Sequence, residues 1–459
     1  MLKQLFFAIL ILSVISACRK DDVIDTSNDI RLQFSTDSLL FDTVFTSSGT
    51  TNRTLKIFNY SKNSIVISNI QLVGGNASSF KININGVAST TLNNVKIKGN
   101  DSIYVFVKAF INPTAVDQPF LVEDEIRFNL NGNQQKIPIV AFGQNAVYLN
   151  KETISSNTTF VKGKPYIIYD DAEIAKNTTL TLQAGTRLYF HKGASLIVKG
   201  CLIANGTLAD SITFTSDRQE RIYNDEPGQW AGIEFLPSSK DNSLNYCTVK
   251  NALVGIKVDS LSNNSKPKLL LSNSIVKNHQ VAGLLGYNAS ITAVNCLMYN
   301  CGQYLVAGFY GGDYHFYQNT LANYNFNFPR KTPSVYFTDY LNTDVVKLKA
   351  LNAQFFNNII FGSLNQELGF DKKGSLPFVQ DFQNNCIKTD LQNFGATNFY
   401  NIDPLFSNTR KENYQLVSNS PLHAVGKDLS ANPFFVNFLD KDLLEKPRVF
   451  PSSLGCYEK

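Results

Sequence analysis

The chain has 459 residues, of which 43% are hydrophobic and only 17% are charged. This composition excludes an intrinsically disordered chain, and a net charge of +5 without any basic run predicts no nucleic-acid partner. The 34 Phe and 20 Tyr against 2 Met favour strands over helices.

The amino terminus has the pattern of an export signal. Lys3 is followed by an apolar stretch from Leu5 to Leu12 and then by small residues before Cys18. The apolar stretch is shorter than the roughly 20 residues that span a bilayer, so a transmembrane helix is excluded. Ile-Ser-Ala-Cys resembles the lipobox of bacterial lipoproteins, which implies that residues 1–17 are cleaved off and that Cys18 is the lipidation site. An ordinary secretory peptide with a chance cysteine is the alternative.

Residues 18–30 are expected to be a lipidated tether. The sequence Arg19-Lys20-Asp21-Asp22 is similar to the tag that follows the lipid cysteine in surface-exported lipoproteins of one group of Gram-negative bacteria. This resemblance implies a protein held on the outer membrane by its lipid and exposed at the cell surface. A solvated charge run that serves only as a tether is the alternative.

Six further cysteines lie in core-forming segments: Cys201, Cys247, Cys296, Cys301, Cys386 and Cys456. An oxidising envelope permits disulfides between them, but buried thiols suit such segments equally well, and we expect mostly free cysteines. Because there is no CxxC and no Cys/His cluster, the sequence predicts no zinc site, and it calls for no other metal or cofactor.

Residues 31–148 are predicted to form an immunoglobulin-like β-sandwich. About seven segments alternate apolar and polar residues with period two, which is typical of strands that bury one face. Gly74-Gly75-Asn76 and Asn131-Gly132-Asn133 supply turns between them. The run from Thr54 to Leu72 also resembles a strand–turn–strand of the immunoglobulin-like modules of bacterial surface proteins. Because no catalytic constellation occurs here, we expect a spacer or docking module.

Residues 149–459 contain an internal repeat of short strands and glycine turns. Five-residue segments that begin at Cys247, Ser274, Cys296 and Asn319 can be superimposed, with steps of 27, 22 and 23 residues, and the register returns after 39 residues at Asn358 and after 27 more at Asn385. Such a period, without helical periodicity or fixed leucines, predicts a solenoid of the right-handed parallel β-helix type.

The repeat register predicts two columns of stacked side chains. One column is apolar and should line the interior: Val249, Val276, Met298, Leu321, Ile360 and Ile387. The other places Asn251, Asn278, Asn300 and Asn323 at one corner. There we expect a structural ladder of asparagines that hydrogen-bond along the axis.

The block from Leu180 to Arg218, followed by Gly228-Gln229-Trp230-Ala231-Gly232, resembles the opening coils of pectin-lyase-like right-handed β-helix proteins. The closing segment, with Asp403-Pro404-Leu405-Phe406 and Leu454-Gly455-Cys456-Tyr457-Glu458, is also similar to this family. The resemblance implies a right-handed parallel β-helix, so with the predicted β-sandwich before it we expect an all-β chain. Its motifs are structural and imply no active site.

Aromatic residues are concentrated between Tyr299 and Tyr340, where 13 occur within 42 residues. The segment 324–345 lies inside the 39-residue step and is expected to project as a loop. Aromatic rings beside polar and basic groups suit the faces of sugar rings. We therefore expect a glycan-binding face formed by Tyr324, Arg330, Tyr336 and Tyr340, and the alternative is a tyrosine-rich loop that caps the coil.

The best candidates for acid–base chemistry are Asp313 and His315, which share one face of an extended segment, together with Tyr310 or Tyr317. A hydrogen-bonded surface pair beside a glycine bend is the simpler interpretation. The sequence thus favours an envelope lipoprotein with a non-catalytic binding or structural module, whose partner is a polysaccharide or a surface protein. The alternative function is that of a polysaccharide lyase or a glycoside hydrolase.

Overall fold

The computed structural model describes residues 23–324, 329–343 and 346–459. These residues form two compact units, the first ending at Asn145 and the second running from Ala146 to Lys459. Cys18 and Arg19-Lys20-Asp21-Asp22 lie outside the described residues, so the lipid anchor stays an expectation. Of the expected tether 18–30, residues 23–30 are described, and the backbone of Val23 and Asp25 bonds that of Ser64 in the first unit. Within the described ranges, no helix is long and apolar enough to cross a bilayer.

The first unit is a β-sandwich of two five-stranded sheets, ordered β1-β3-β8-β5-β6 and β2-β10-β9-β4-β7. Its strands are β1 (Gln33–Phe34), β2 (Leu39–Phe45), β3 (Arg53–Asn59), β4 (Ile65–Leu72), β5 (Phe80–Ile84), β6 (Val87–Ala88), β7 (Thr91–Ile97), β8 (Asp101–Ala109), β9 (Phe120–Leu130) and β10 (Asn133–Gln144). Neighbouring strands are antiparallel except β2 and β10, which pair in parallel. Alternate residues such as Ile57, Val105 and Phe128 are fully buried, as period-two patterning requires.

The second unit is a parallel β-helix in which each coil contributes a strand to each of three faces. The first five coils contain β11 (Val147–Leu149), β12 (Glu152–Ile154), β13 (Thr158–Phe160), β14 (Tyr166–Ile168), β15 (Ala172–Ile174), β16 (Thr179–Leu182), β17 (Arg187–Phe190), β18 (Ser195–Val198), β19 (Cys201–Asn205), β20 (Ile212–Ser216), β21 (Gly232–Phe235), β22 (Asn242–Asn245), β23 (Cys247–Lys250), β24 (Val254–Asp259) and β25 (Leu269–Ser272).

The later coils and the carboxyl-terminal segment contain β26 (Ile275–Lys277), β27 (Ala282–Val294), β28 (Leu297–Tyr299), β29 (Tyr304–Tyr317), β30 (Thr320–Asn323), β31 (Val335–Thr338), β32 (Tyr340–Leu341), β33 (Lys347–Leu348), β34 (Leu351–Phe356), β35 (Ile359–Gly362), β36 (Leu368–Asp371), β37 (Phe378–Gln383), β38 (Cys386–Ile387), β39 (Phe399–Tyr400), β40 (Phe406–Asn408) and β41 (Asn413–Leu416). Helical turns occur at Gly75–Ala77, Arg221–Tyr223, Thr409–Lys411 and Phe435–Leu439.

Three parallel faces enclose the core of the β-helix. Face 1 is the sheet β11-β14-β17-β20-β23-β26-β28-β30-β35-β38-β39. Face 2 runs from β12 to β36 and face 3 from β13 to β37, and the long strands β27 and β29 pass from face 2 to face 3. In β29 the passage is made at Gly311, whose φ of 68° is left-handed and where a Cβ would lie 2.3 Å from the Ala350 carbonyl oxygen. These sheets confirm the expected all-β fold of a sandwich followed by a parallel β-helix.

The predicted apolar column is confirmed. Val249 pairs with Val276, which pairs with Met298, and the register continues through Leu321, Ile360 and Ile387. All six side chains are fully buried.

The asparagine ladder exists, but the prediction put it at the wrong corner of the coil. At the corner of Asn251, Asn278 and Asn300, these three residues have left-handed φ angles of 67°, 57° and 55°, and their role is to turn the backbone. The ladder lies at the opposite end of the face 1 strands, where the amides of Asn319, Asn358, Asn385 and Asn398 bond in sequence at 2.9, 2.9 and 3.0 Å. In the ladder each side-chain carbonyl oxygen also accepts a backbone N–H of the preceding coil. Asn323, the fourth residue of the predicted corner, is fully buried and bonds both the N–H and the carbonyl of Cys301.

The expectation that 324–345 is a projecting loop is wrong for the middle of this segment. Val335–Thr338 is the face 2 strand β31 of a regular coil and pairs with β29 and β36. The 39-residue step is long because extra residues precede β31 and a hairpin of β32 and β33 follows it. Tyr336 therefore lies on a sheet.

The carboxyl-terminal segment packs back on the outside of face 1. Tyr414, Leu443 and Cys456 contact Leu297 and Tyr299 in one buried cluster. The hydroxyl of Tyr299 donates to Glu412 Oε2 at 2.8 Å, and Lys277 lies 2.6 Å from the same oxygen. The outer surface of face 1 is therefore covered over these coils, whereas faces 2 and 3 carry the candidate sites.

Candidate functional site

Four aromatic rings form a continuous surface on the outside of face 2, which we call the aromatic platform: Tyr287, Tyr304, Phe309 and Tyr336. The ring centroids are 5.9 Å apart for Tyr287 and Phe309, 6.1 Å for Tyr304 and Phe309, and 5.9 Å for Tyr304 and Tyr336. Consecutive coils supply these residues because β27, β29 and β31 are in parallel register, with Tyr287 beside Phe309. Each ring is half-buried, so each leaves part of its surface to solvent.

Charged and hydroxyl groups border the platform on both sides. On the side of the earlier coils, Lys257 forms ion pairs with Glu234 at 2.6 Å and Asp259 at 3.3 Å, and its ammonium lies 5.7 Å from the centre of the Tyr287 ring. This mixed-charge rim can hydrogen-bond hydroxyl groups of a ligand that rests on the rings.

On the other side, Tyr340 donates a hydrogen bond of 2.6 Å to Asp371, and Lys373 lies 3.8 Å from the centre of its ring. The hydrogen bond to Asp371 raises the pKa of Tyr340, and burial raises the pKa of Tyr336. Both phenols are therefore neutral hydroxyl groups at ordinary pH.

The sequence-predicted glycan-binding residues do not all lie together. Tyr336 and Tyr340 border one surface, but Tyr324 packs against Phe406 and Tyr414 of the carboxyl-terminal segment, with ring centroids 6.3 and 6.4 Å away. Arg330 is in the interior, where its guanidinium lies 2.6 Å from Glu367 and its side chain is 1% exposed. Arg330 therefore stabilises the coil and is not accessible to a ligand.

A second candidate site, which we call the polar groove, lies on the outside of face 3. Asp313 Oδ1 lies 2.9 Å from His315 Nε2, while His315 Nδ1 lies 3.0 Å from the Tyr317 hydroxyl. That hydroxyl donates to Gln354 Oε1 at 3.2 Å, and the Asn352 amide donates to Asp313 at 2.7 Å. Alternate residues of β29 and its neighbour β34 thus form one connected hydrogen-bond network.

The surroundings lower the pKa of Asp313 and raise the pKa of Tyr317. Burial raises the pKa of Asp313, but the hydrogen bonds from His315 and Asn352 outweigh it and leave the pKa lowered. Burial raises the pKa of the Tyr317 hydroxyl to about 12. A carboxylate, an imidazole and a neutral phenol in this order are groups that can move a proton.

The polar groove has a volume of about 560 Å³ and is bordered by the segment 261–267 and by Pro433 and Phe434. Ser290 and Thr292 extend its floor beside Asp313 and His315. Tyr310 is not part of it, because it lies before the bend at Gly311, and its backbone N–H bonds Thr338 Oγ1 at 3.4 Å. The pairing of Asp313 with His315 is thus present, with Tyr317 and not Tyr310 as the neighbouring phenol.

Sequence reasoning missed Tyr287 and did not place Tyr304 and Phe309 beside Tyr336. The signal was present, since Tyr287 and Phe309 are separated by 22 residues, one step of the repeat. To place Tyr287 beside Phe309 requires the register of face 2, whereas the repeat in the sequence marks only the strands of face 1. Within the described residues, no group of three or more His, Cys, Asp and Glu side chains is arranged to hold a metal ion.

The comparisons with known proteins support the β-helix but no activity. Residues 129–321 match the family model described as a right handed beta helix region. No match was found among curated proteins. A family 123 glycoside hydrolase from Clostridium perfringens is 8% identical, with 29% of this chain and 30% of that chain covered and a TM-score of 0.19. The VesB protease of Vibrio cholerae is 11% identical, with 25% and 31% covered and a TM-score of 0.17.

The chain spans less than a third of the length of either solved structure. At these TM-scores the two structures carry no argument about fold or activity. The right-handed β-helix is supported by the family model together with the parallel sheets, and function has to be argued from the sites.

Proposed function

We propose that this protein is a lipid-anchored protein of the cell envelope whose β-helix binds polysaccharide without cleaving it. The observation that carries the proposal is the aromatic platform, because four adjacent rings on a sheet exterior offer a surface for the C–H faces of sugar rings. The mixed-charge rim of Glu234, Lys257 and Asp259 supplies hydrogen-bonding groups for sugar hydroxyls. The competing non-catalytic function is to dock another protein or to serve only as a structural module.

Binding is tested by affinity electrophoresis of the purified full chain in gels that contain neutral or acidic polysaccharides. We expect retention by at least one polymer, and Tyr336→Ala or Phe309→Ala should weaken it by about tenfold, since stacking residues at the centre of an interface carry most of its energy. Tyr223→Ala is the matched control, because this ring packs on Arg218 in a loop of the same unit, 3.9 Å from its guanidinium carbon. Retention that Tyr336→Ala and Phe309→Ala leave unchanged would exclude the platform.

The anchor is tested at Cys18. Palmitate labelling of cells should mark the wild-type protein and not Cys18→Ser, and protease added to intact cells should digest the wild-type protein if it faces the exterior. Multiple acyl chains give durable membrane attachment, at about 0.8 kcal/mol for each buried CH₂. Equal labelling of both forms would exclude lipidation at this cysteine.

A second candidate function is polysaccharide cleavage, which the polar groove favours through its ordered Asp313, His315 and Tyr317. A lyase would produce unsaturated sugars that absorb at about 235 nm, and a hydrolase would produce reducing ends without this absorbance. If the wild-type chain forms such products and His315→Gln does not, the function is catalysis and not binding alone. Retention without products would support the binding protein.

A further inference from the structure

The sandwich carries a second aromatic surface, on the outside of the sheet that contains β3 and β8. Phe58 stacks on Tyr60 with ring centroids 5.3 Å apart, and Tyr104 stacks on Phe106 at 6.1 Å. Lys56 lies between the two pairs, with its ammonium 5.0 Å from the Phe58 ring and 5.3 Å from the Tyr104 ring. We call these five residues the sandwich aromatic face.

The position of these rings is unusual for a sandwich. Outward positions of a strand normally carry polar residues, because only the inward face joins the core. Here Tyr60 is 69% exposed, Tyr104 43% and Phe106 38%. Their inward neighbours Ile57, Val105 and Val107 are fully buried, so the core does not need the outward rings.

The charges of this sheet are all of one sign on its outer side. Lys81 and Lys108 are directly opposite each other on β5 and β8, and both are exposed. The Lys81 ammonium lies 3.5 Å from the Asn76 carbonyl oxygen. Two exposed ammonium groups on one face of a sheet attract anions. In the described strands β3, β5 and β8, no outward position carries Asp or Glu.

We infer that the sandwich aromatic face is a binding site for an acidic polysaccharide. The stacked ring pairs receive the C–H faces of successive sugar units, while Lys56, Lys81 and Lys108 pair with their carboxylate or sulfate groups. Tyr104 and Lys108 are four residues apart on one strand, about 13 Å at a rise of about 3.3 Å per residue, which matches a polymer rather than a single sugar. This site differs from the aromatic platform in its charge, because its three lysines are all positive whereas the rim of the platform contains both positive and negative side chains.

The test uses the purified full chain and affinity electrophoresis in polygalacturonate, alginate and chondroitin sulfate. Methyl-esterified polygalacturonate serves as the uncharged counterpart. We expect retention by an acidic polymer, weakened by added salt, and much weaker retention by the methyl ester. Tyr104→Ala should reduce the retention by about tenfold, and Lys56→Gln together with Lys108→Gln should remove the preference for the acidic form.

Phe142→Ala is the matched control, since this ring is 48% exposed on β10 of the other sheet. Unchanged thermal unfolding of the variants establishes that they are folded. The inference is overturned if none of the three polymers retains the protein, if Tyr104→Ala has no more effect than Phe142→Ala, or if anionic vesicles bind while the polymers do not. If Tyr336→Ala reduces the retention and Tyr104→Ala does not, the proposed function stands and this second site is excluded.

Discussion

The guanidinium of Arg330 and the carboxylate of Glu367 form an ion pair of 2.6 Å inside the β-helix, with side chains that are 1% and 0% exposed. Glu367 also accepts the backbone N–H of Ser334 at 3.2 Å and that of Leu364 at 2.8 Å. Arg330 donates to the Asn323 carbonyl at 3.1 Å. The pair therefore connects the ends of β30, β31 and β36 across two coils, at the point where extra residues enter the repeat.

Arg330→Met is expected to lower the free energy of unfolding of the β-helix by about 3–5 kcal/mol, because it leaves the Glu367 carboxylate buried without its cation. Denaturant unfolding of the full chain measures the loss. The matched control is Arg218→Met, whose ion pair with Glu220 is 37% and 20% exposed and should contribute no more than about 1 kcal/mol. Equal losses in the two variants would contradict the structural role of the buried pair.

Asn358→Ala is expected to cost roughly 2–4 kcal/mol, since it interrupts the ladder and leaves the buried amide of Asn319 and the N–H of the same residue without their acceptor. Asn300→Gly is the comparison, because Asn300 has a left-handed φ of 55° and a buried Oδ1 without a partner. Glycine suits that conformation, so Asn300→Gly should change the free energy of unfolding by no more than about 1 kcal/mol. A loss at Asn300 as large as that at Asn358 would show that the ladder is not the stabilising corner.

The stability of the β-helix is expected to fall in acid because of His279. This side chain is fully buried, its Nδ1 accepts the Ala252 N–H at 3.1 Å, and its Nε2 lies 3.1 Å from the Val249 carbonyl. Burial lowers its pKa from 6.5 to about 4. The unfolded chain thus binds a proton that the folded chain rejects, so stability present above pH 6.5 is lost as the pH falls towards 4.

At about pH 4.5 this residue should account for a loss of roughly 2–3 kcal/mol relative to neutral pH. Denaturant unfolding of the wild-type chain and of His279→Gln at both pH values isolates the contribution, since the variant cannot take up the proton. Parallel pH profiles for the two proteins would contradict the assignment.

Cys201, Cys247, Cys296, Cys301, Cys386 and Cys456 form no disulfide within the described residues, and all but Cys201 are buried. Burial raises the pKa of the Cys296, Cys301 and Cys456 thiols to about 12, which suppresses the reactive thiolate. Titration with a thiol reagent should therefore modify Cys201 first in the native protein and all six after denaturation without reductant. Fewer than six reactive thiols in the denatured chain would show that disulfides form in the envelope.

Features that repeat along the chain could be predicted from the sequence. The interior column from Val249 to Ile387 was found because stacked coils place equivalent residues in register, and an apolar side chain at each repeat has only the interior to occupy. The sandwich was found for a similar reason, since period-two alternation reports burial directly. The proximity of Asp313 and His315 also follows from that period.

The corners and insertions could not be predicted in this way. Asn251 and Asn358 are the same residue type in the same repeat, yet one turns the backbone and the other belongs to the ladder, because only the position within the coil decides where an amide is directed. Arg330 was expected at a surface because it lies in an irregular stretch, and its burial depends on Glu367, 37 residues later.

The sequence by itself determined the two architectures and the apolar core column, because each of these follows from local periodicity, whereas the export signal stays a prediction. Only the tertiary structure decided which side chains share a surface. The aromatic platform, the polar groove and the sandwich aromatic face each join residues from different strands, and their register depends on the packing of whole coils and sheets, which no local pattern records.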